Sequence, residues 1–215
     1  MSSPRQVYYD LFSKVYDFVI RLHSSDREGS LRRFIAEKTH LSEEGRALDL
    51  CTGTGSVAVE LARRLGEKGS VVGLDFSQGM IEKARQKATS LNLNHLHLVQ
   101  GNASRLPFRS ASFDGVTCSH AFYELKGTER SKAIEEVARV LKEGGRFCLM
   151  EHAKPEKFIA RLLFYIRIFF LGASDAKKFL EEEEAVLGER FKNIAKEISP
   201  TGQSKLIYGE KGGDS

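Results

Sequence analysis

Short strand-like runs alternate with helical patterns along most of the chain, and this alternation constrains the fold more than any other feature. Apolar residues three and four positions apart, the spacing of amphipathic helices, fill the segments SVAVELARRLGEKG, GMIEKARQKATSLN and TERSKAIEEVARVLKEGG. Repeated strand–helix–strand units predict a parallel sheet with helices on both faces, because parallel crossovers are right-handed. The strand-like runs are 47–51, 71–75, 97–101, 113–119 and 146–151.

Two further strand-like runs near the end of the chain depart from this rhythm. FKNIAKEIS and KLIYGEK are joined by PTGQS, which is too short for a crossover helix. The pair is therefore predicted to form an antiparallel hairpin at the sheet edge. The predicted fold class is α/β, a Rossmann-like three-layer sandwich with five parallel strands plus a C-terminal antiparallel hairpin, which makes a seven-stranded sheet.

A length of 215 residues favours one domain with a substantial core. Within it we expect a helical cap over residues 1–42 and a cofactor-binding core over 43–153. An apolar helix and an acidic helix over 154–190 are expected on the substrate side, followed by the hairpin and tail over 191–215. The acidic run EEEE at 181–184 is expected to be the solvated face of its helix.

Composition and charge argue against several function classes. The net charge of +4 is spread through segments that also carry Asp and Glu, so no nucleic-acid partner is expected. The three cysteines lie in apolar runs, which is typical of a reducing compartment, and the scattered histidines and absent CxxC pair predict no metal site. The N-terminus lacks a signal-peptide pattern, so a cytoplasmic location is expected.

The stretch LDLCTGTGS, residues 48–56, follows the first predicted strand and opens the first predicted helix. Gly53, Gly55 and Ala58 fit the G-x-G-x-x-G/A pattern. Asp75 follows Gly53 after about 20 residues, at the end of the second strand, where an acidic side chain can accept ribose hydroxyls. Because the glycines let a ligand approach a helix N-terminus, the pattern suits any adenosine-containing cofactor, NAD included.

Asp49, four positions before Gly53, discriminates between these cofactors. A dinucleotide would place its pyrophosphate at this helix N-terminus, where a nearby carboxylate adds repulsion of about 1 kcal/mol or more. A cofactor with an ammonium group and a positive sulfonium is instead attracted by Asp49, directly or through water. S-adenosylmethionine is such a cofactor, so the sequence favours it over NAD.

Four longer segments carry a resemblance to a known family. ALDLCTGTGSVAVELA, VVGLDFSQGMIEKAR, GNASRLPFRSASFDGVTCSHAF and EEVARVLKEGGRFCLMEHAKP resemble the first to fifth motifs of class I S-adenosylmethionine-dependent methyltransferases, in order and in spacing. The resemblance runs from about residue 16 to residue 211. Through LPF, ARVLKEGGRF and EHAKP it is closest to the ubiquinone/menaquinone-biosynthesis C-methyltransferase group. It implies transfer of a methyl group with S-adenosyl-L-homocysteine as product.

The resemblance also implies which residues hold the cofactor. Asp49 and the Gly53–Gly55 backbone would hold its methionine part, and Asp75 its ribose. Phe76 and Met80 would flank the adenine, with core packing as the alternative. Asn102 and Ala103 would meet the ring edge, Ser119 and His120 would lie beneath the sulfonium, and Tyr16 would cover the cofactor or simply pack. The implied cofactor-binding residues are Tyr16, Asp49, Thr52, Gly53, Gly55, Asp75, Phe76, Met80, Asn102, Ala103, Ser119 and His120.

Three residues after the fourth strand are candidates for removing a proton from the methyl acceptor: His120, Tyr123 and Glu124. His120 alternatively only shapes the cofactor pocket. Tyr123 and Glu124 stand where quinone methyltransferases usually carry an Arg-Asn pair, and the segment before the hairpin is shorter than theirs. These two departures concern quinone specificity, and together with the apolar segment 158–172 they leave a hydrophobic small molecule such as a quinone precursor, a phenol or a lipid head group as the expected acceptor.

The segment FIARLLFYIRIFFLG, residues 158–172, is apolar nearly all round. As a helix it would span roughly 20 Å, which is too short for a bilayer core of about 30 Å. Three roles remain as alternatives for this segment: packing against the sheet, capping of a lipophilic pocket, or contact with a membrane surface. For the whole chain, a methyltransferase-fold binding or regulatory module without turnover and an NAD-dependent oxidoreductase are the alternative functions.

Overall fold

The structure is a computed structural model of the 215-residue chain, and it describes residues 29–125, 127–153 and 176–213. Tyr16 and most of the predicted N-terminal cap lie outside the described residues. The apolar segment 158–172 lies outside them as well. The roles predicted for both therefore stay predictions.

Strands and helices alternate through the described residues. Strands β1 to β7 are Arg46–Leu50, Ser70–Asp75, Leu96–Gln100, Phe113–Ser119, Leu141–His152, Phe191–Ile198 and Ser204–Lys211. Helices α1 to α5 are Ser30–Lys38, Ser56–Leu65, Gln78–Ser90, Thr128–Val140 and Ala176–Gly188, and a 3-10 helix covers Phe122–Glu124. None of these helices is long and apolar enough to cross a membrane.

The strands form one seven-stranded sheet in the order β3-β2-β1-β4-β5-β7-β6. Strands β1 to β5 are parallel, whereas β7 runs antiparallel to both β5 and β6. The predicted fold class is confirmed. Because the chain moves outward in opposite directions from β1 and from β4, the loops after these two strands separate and leave a crevice at their carboxyl ends.

The start of β5 differs from the sequence prediction. The third helical pattern extended to Gly145, but α4 ends at Val140 and β5 begins at once with Leu141. Leu141 pairs with Phe113, and the register then shifts at a bulge before the regular ladder continues. Gly144 has φ +71, so a glycine supplies the turn that this irregularity requires.

Each face of the sheet has its own apolar core, because side chains alternate along the strands. Leu48 and Leu50 of β1 join the core under α4 and α5, whereas Ala47 joins the core under α1 and α2. In β5, Leu149 lies on the α4–α5 side and Met150 on the opposite side. This alternation fixes the face on which each polar residue at a strand end lies.

Candidate active site

The loop after β1 passes into α2 through two glycines with positive φ, +55 at Gly53 and +76 at Gly55. A Cβ at Gly55 would lie 2.9 Å from Ala84 Cβ, so α2 and α3 pack too closely for a side chain there. A Cβ at Gly53 would meet no atom of the described residues within 4 Å. Gly55 therefore serves packing, whereas Gly53 lies against open space that a ligand can occupy.

Asp49 at the end of β1 is 1% exposed, and protein donors bind both of its carboxyl oxygens. Oδ1 accepts a hydrogen bond from Thr117 Oγ1 at 2.8 Å, and Oδ2 accepts one from Thr52 Oγ1 at 2.5 Å. Oδ2 also accepts the backbone N–H of Ala58 at 3.1 Å. This bond satisfies a donor in the first turn of α2, whose N-cap residue Gly55 has no side chain to do so. Asp49 thus holds the loop in place.

Burial raises the pKa of Asp49 to about 6, although the hydrogen bonds from Thr52, Thr117 and Ala58 lower it. At pH 7 the carboxyl is mostly ionised, so a negative charge lies directly beneath the loop. That charge disfavours a pyrophosphate at this position. Direct contact of Asp49 with a cofactor ammonium stays a prediction, since the contacts seen here are all within the protein.

Asp75 at the end of β2 is bonded to the same loop. Its Oδ2 accepts the backbone N–H of Gly53 at 2.9 Å, and its Oδ1 accepts that of Ser77 at 2.9 Å. The N–H of Thr52 donates to the carbonyl of Leu74 at 2.9 Å. These bonds hold the Asp75 carboxylate beside Gly53, and its contact with a ribose stays a prediction.

The predicted adenine contacts lie at the carboxyl ends of β2 and β3. Phe76 is half-buried, whereas Met80 is 2% exposed and packs in the core. Asn102 is exposed, and its Oδ1 accepts hydrogen bonds from the backbone N–H and the hydroxyl of Ser104 at 2.8 and 2.9 Å. Ala103 is buried beside it. The structure brings the four residues to one edge of the sheet, and their contacts with adenine stay predictions.

His120 directly follows β4 with φ +53, and both of its ring nitrogens have partners. Nδ1 lies 2.9 Å from Ser119 Oγ, and Nε2 lies 2.8 Å from Ser204 Oγ at the start of β7. The ring centroid is 4.5 Å from that of His152. Because the imidazole is held between β4 and β7, the geometry favours the alternative in which His120 shapes the pocket.

The 3-10 helix after β4 carries the other two acceptor-side candidates. Tyr123 is 1% exposed and Glu124 is 8% exposed. The hydroxyl of Tyr123 donates to Glu124 Oε1 at 3.3 Å. Both side chains are therefore buried with the turn that carries them, and their roles toward an acceptor stay predictions.

Residues 4–178 match the model of the ubiE/COQ5 methyltransferase family. The chain belongs to the ubiE/COQ5 methyltransferase family. It is an S-adenosylmethionine-dependent methyltransferase, and the predicted resemblance and enzyme class are confirmed.

Individual relatives agree with this assignment. A demethylmenaquinone methyltransferase of Oceanobacillus iheyensis is 35% identical over 179 residues, which cover 81% of this chain and 74% of that protein. A ubiquinone/menaquinone biosynthesis C-methyltransferase UbiE of Geotalea daltonii is 34% identical over 161 residues, covering 74% and 68%. The crystal structure of a SAM dependent methyltransferase from Aquifex aeolicus has a TM-score of 0.66 at 21% identity, covering 90% and 96%, and this likeness supports the fold alone.

Two residues of the methyltransferase that hold the 3-10 helix were missed in the sequence. Glu151 Oε1 accepts the backbone N–H of Phe122 at 2.9 Å and that of Tyr123 at 3.2 Å. From the other end, Arg130 Nη2 donates to the carbonyls of Tyr123 and Leu125 at 3.1 and 2.5 Å. The available signal for Glu151 was an acidic residue at the end of the apolar strand run RFCLME.

The expectation of a solvated face at 181–184 is wrong at Glu183. Its side chain is 2% exposed, and Oε2 lies 2.5 Å from Nζ of Lys205 in β7, while the other three glutamates of the run are exposed. Phe179, Glu183 and Leu187 are spaced four apart on α5 and all are buried, so Glu183 lies on the apolar stripe of the helix. That spacing was the signal in the sequence.

Burial raises the pKa values of these two glutamates in the methyltransferase. The pKa of Glu183 rises to about 7, although its hydrogen bond to Lys205 lowers it. Burial and the charge of Glu183 raise the pKa of Glu151 well above its usual range, although the N–H groups of Tyr123 and Phe122 lower it. Glu151 Oε2 and Glu183 Oε1 are buried without a hydrogen-bond partner among the described residues.

Proposed function

We propose that the chain transfers a methyl group from S-adenosylmethionine to a hydrophobic small molecule, with a quinone precursor as the acceptor. The open side of Gly53, with Asp75 bonded to its N–H and Asp49 bonded to the same loop, is the observation that carries the cofactor part. The acceptor part is supported by relatives named for demethylmenaquinone and for ubiquinone/menaquinone biosynthesis.

The residues present fit the cofactor. The backbone at Gly53 leaves room for its amino-acid part, the charge of Asp49 favours its positive groups, and Asp75 is placed for its ribose hydroxyls. When bound, S-adenosylmethionine supplies an electrophilic methyl group on a positive sulfur. Phe76 at the end of β2 is half-buried and can cover the adenine.

The acceptor side is assigned to the ends of β4, β5 and β7. His120, Tyr123 and His152 form an aromatic group there, with ring centroids 4.5 and 5.8 Å from His152. Aromatic surroundings suit a flat, apolar acceptor. Positioning and exclusion of water supply most of the rate for a methyl transfer with a neutral leaving group. Methylation of a ring carbon or a hydroxyl also releases a proton from the acceptor, and His120, Tyr123 and Glu124 are the candidates to take it. Residues 158–172 are proposed to cap this side or to contact a membrane surface.

The first test is calorimetric binding of S-adenosyl-L-homocysteine to the wild type and to Asp75→Asn. Loss of charge-assisted bonds to the ribose is expected to weaken binding by about 1–3 kcal/mol. Asp114→Asn is the matched control, because Asp114 bonds to Arg46 and Lys142 at the opposite end of the sheet. Equal affinity of Asp75→Asn and wild type, or binding of NADH in place of S-adenosyl-L-homocysteine, would remove the cofactor assignment.

The second test is methyl transfer to reduced demethylmenaquinone with a short side chain, assayed beside a simple phenol and a lipid head group. We expect turnover on the quinol. Faster turnover on the phenol or on the lipid head group would show that the acceptor is not a quinone precursor. Tight binding of S-adenosyl-L-homocysteine without turnover on any of the three would indicate a binding or regulatory module instead.

A further inference from the structure

The turn that carries Tyr123 and Glu124 is held from both ends by side chains distant in sequence. Glu151 of β5 binds the N–H groups at its start, and Arg130 of α4 binds the carbonyls at its end. The Arg130 guanidinium also lies 4.4 Å from the ring centroid of Phe179 on α5. Because Arg130 is 8% exposed and Glu151 is fully buried, neither contact is an incidental surface contact.

The charges around Glu151 do not balance if every carboxyl is ionised. Glu151 and Lys205 are register partners across β5 and β7, so their side chains start from the same face of the sheet. Lys205 nevertheless bonds to Glu183 Oε2 and to the carbonyl of Leu180. The Lys205 ammonium is thus bonded to the carboxyl of Glu183 and not to that of Glu151, and Oε2 of Glu151 has no partner among the described residues.

No other cation of the described elements compensates Glu151. Arg130 is bonded to backbone carbonyls, and the carboxyls of Glu124 and Glu183 add negative charge on the 3-10 helix and α5. His120 at the end of β4 bonds to Ser119 and Ser204, and His152, which follows Glu151 on β5, packs its ring against those of His120 and Tyr123. A buried charge without a partner is expensive, whereas a neutral acid can still accept two N–H groups at Oε1.

We propose that Glu151 is a positioning residue of the methyl-transfer reaction, a neutral acid that fixes the turn carrying Tyr123 and Glu124 toward the acceptor while Arg130 fixes its other end. This rests on the proposed function. Glu151 touches neither cofactor nor acceptor in this role. Its neutrality keeps an additional negative charge from lying beneath a turn that faces an apolar substrate.

The test compares Glu151→Gln with Glu151→Leu in the quinol assay. Leu removes the acceptor of two N–H groups, and we expect the acceptor KM to rise about tenfold, with S-adenosyl-L-homocysteine affinity unchanged within about twofold. Gln keeps the acceptor oxygen without a charge and is expected to restore most of that loss. An unchanged acceptor KM in Glu151→Leu would overturn the proposal, and so would a Gln variant as impaired as Leu.

Arg130→Lys covers the case in which Glu151→Leu does not fold. Lysine keeps the charge but lacks the planar guanidinium whose Nη2 bonds to both carbonyls, so the acceptor KM should again rise while cofactor affinity holds. A parallel loss of cofactor affinity in Arg130→Lys would indicate a structural role for the whole site and contradict the positioning role.

Infrared difference spectra test the protonation state without an acceptor. At pH 8, above the pKa of about 7 for Glu183, the wild type should keep a protonated-carboxyl band that Glu151→Gln lacks. Absence of that band overturns the neutral-acid part. Should the wild type methylate no acceptor while binding S-adenosyl-L-homocysteine, the proposed function fails and the positioning role fails with it, whereas a failure confined to the variants concerns Glu151 alone.

Discussion

The buried acids at the carboxyl ends of β1 and β2 differ in their hydrogen bonding from those near the ends of β4 and β5. Asp49 and Asp75 have hydrogen bonds to both carboxyl oxygens, mostly from the loops after β1 and β2. Glu151 and Glu183 each keep one buried oxygen without a partner among the described residues. The buried acids of the cofactor half, at the ends of β1 and β2, have hydrogen bonds to every carboxyl oxygen. Those of the acceptor half, around the end of β5, do not.

This difference shows where the molecule places its least stabilised polar groups. A buried carboxyl without full hydrogen bonding lowers stability, so natural proteins tolerate it mainly where function requires it. Here Glu151 lies under the turn of Phe122–Glu124, and Glu183 on α5 is near enough for its charge to raise the pKa of Glu151; both belong to the side assigned to the acceptor. Substitutions in the acceptor half should therefore change the free energy of unfolding more than substitutions in the cofactor half.

The largest effect is expected from Lys205→Met in the acceptor half. Removal of the ammonium leaves Glu183 buried without a cation, which should lower the free energy of unfolding by about 3–5 kcal/mol at pH 8, measured by urea denaturation. Lys196→Met is the matched control. Its Nζ contacts Glu184 at 2.6 Å, but the side chains are 39% and 51% exposed, so the loss should stay below about 1 kcal/mol. Equal losses in the two variants would contradict the difference between buried and exposed pairs.

A second effect is a pH dependence that resides in Glu183. Its folded pKa of about 7 lies above the ordinary 4.5, so the folded state binds more protons between these values. Stability from this group is therefore full below pH 4.5 and is lost as the pH rises through 7. The unfolding free energy of wild type minus that of Glu183→Gln should fall by roughly 3 kcal/mol across this range. A pH-independent difference would show that Glu183 does not titrate there.

In the cofactor half, alanine at the two loop glycines should have different effects: one variant should lose mainly stability and the other mainly cofactor affinity. Gly55→Ala adds a methyl group 2.9 Å from Ala84 Cβ at positive φ, and should cost about 2–3 kcal/mol of stability. Gly53→Ala meets open space and should cost about 1 kcal/mol, but it should weaken S-adenosyl-L-homocysteine binding about tenfold or more.

Gly202→Ala is the control for Gly53→Ala, since φ is +71 there and the space around it is also open. It should show a similar stability loss with unchanged cofactor affinity, measured by calorimetry and urea denaturation. Equal binding by Gly53→Ala and Gly202→Ala would show that the open side of Gly53 is not the cofactor site.

The smallest effect is expected from Lys87→Met on α3. Lys87 Nζ donates to Thr54 Oγ1 at 3.2 Å and to Ser56 Oγ at 3.1 Å, so it steadies the loop from outside. Loss of these bonds should weaken cofactor binding by about 0.5–1.5 kcal/mol, measured by calorimetry. Lys83→Met, on the same helix, should leave binding unchanged. Identical affinities in both variants would indicate that the loop is held by Asp49 and Asp75 alone.

The predictable part of the site depends largely on contacts within one motif, although Thr117 binds Asp49 from 68 residues away. Asp49 binds Thr52 and Ala58, three and nine residues later, so the motif already contains the loop's main partners. Glu151 binds N–H groups 28 and 29 residues earlier, and no pattern in the sequence names them. Hydrogen-bond partners across such separations depend on how two strands and a turn pack together.

The sequence by itself determined the alternating strands and helices, the hairpin, the two acids at the strand ends and the glycine turn, because local periodicity and backbone preference act over a few residues. The tertiary structure decided that β7 rather than β6 pairs with β5, that Glu183 alone of its acidic run is buried, and that Lys205 bonds to Glu183 while Glu151 keeps an unpartnered oxygen. Those outcomes depend on which distant segments share a face of the sheet, and burial there sets the charge that each carboxyl can carry.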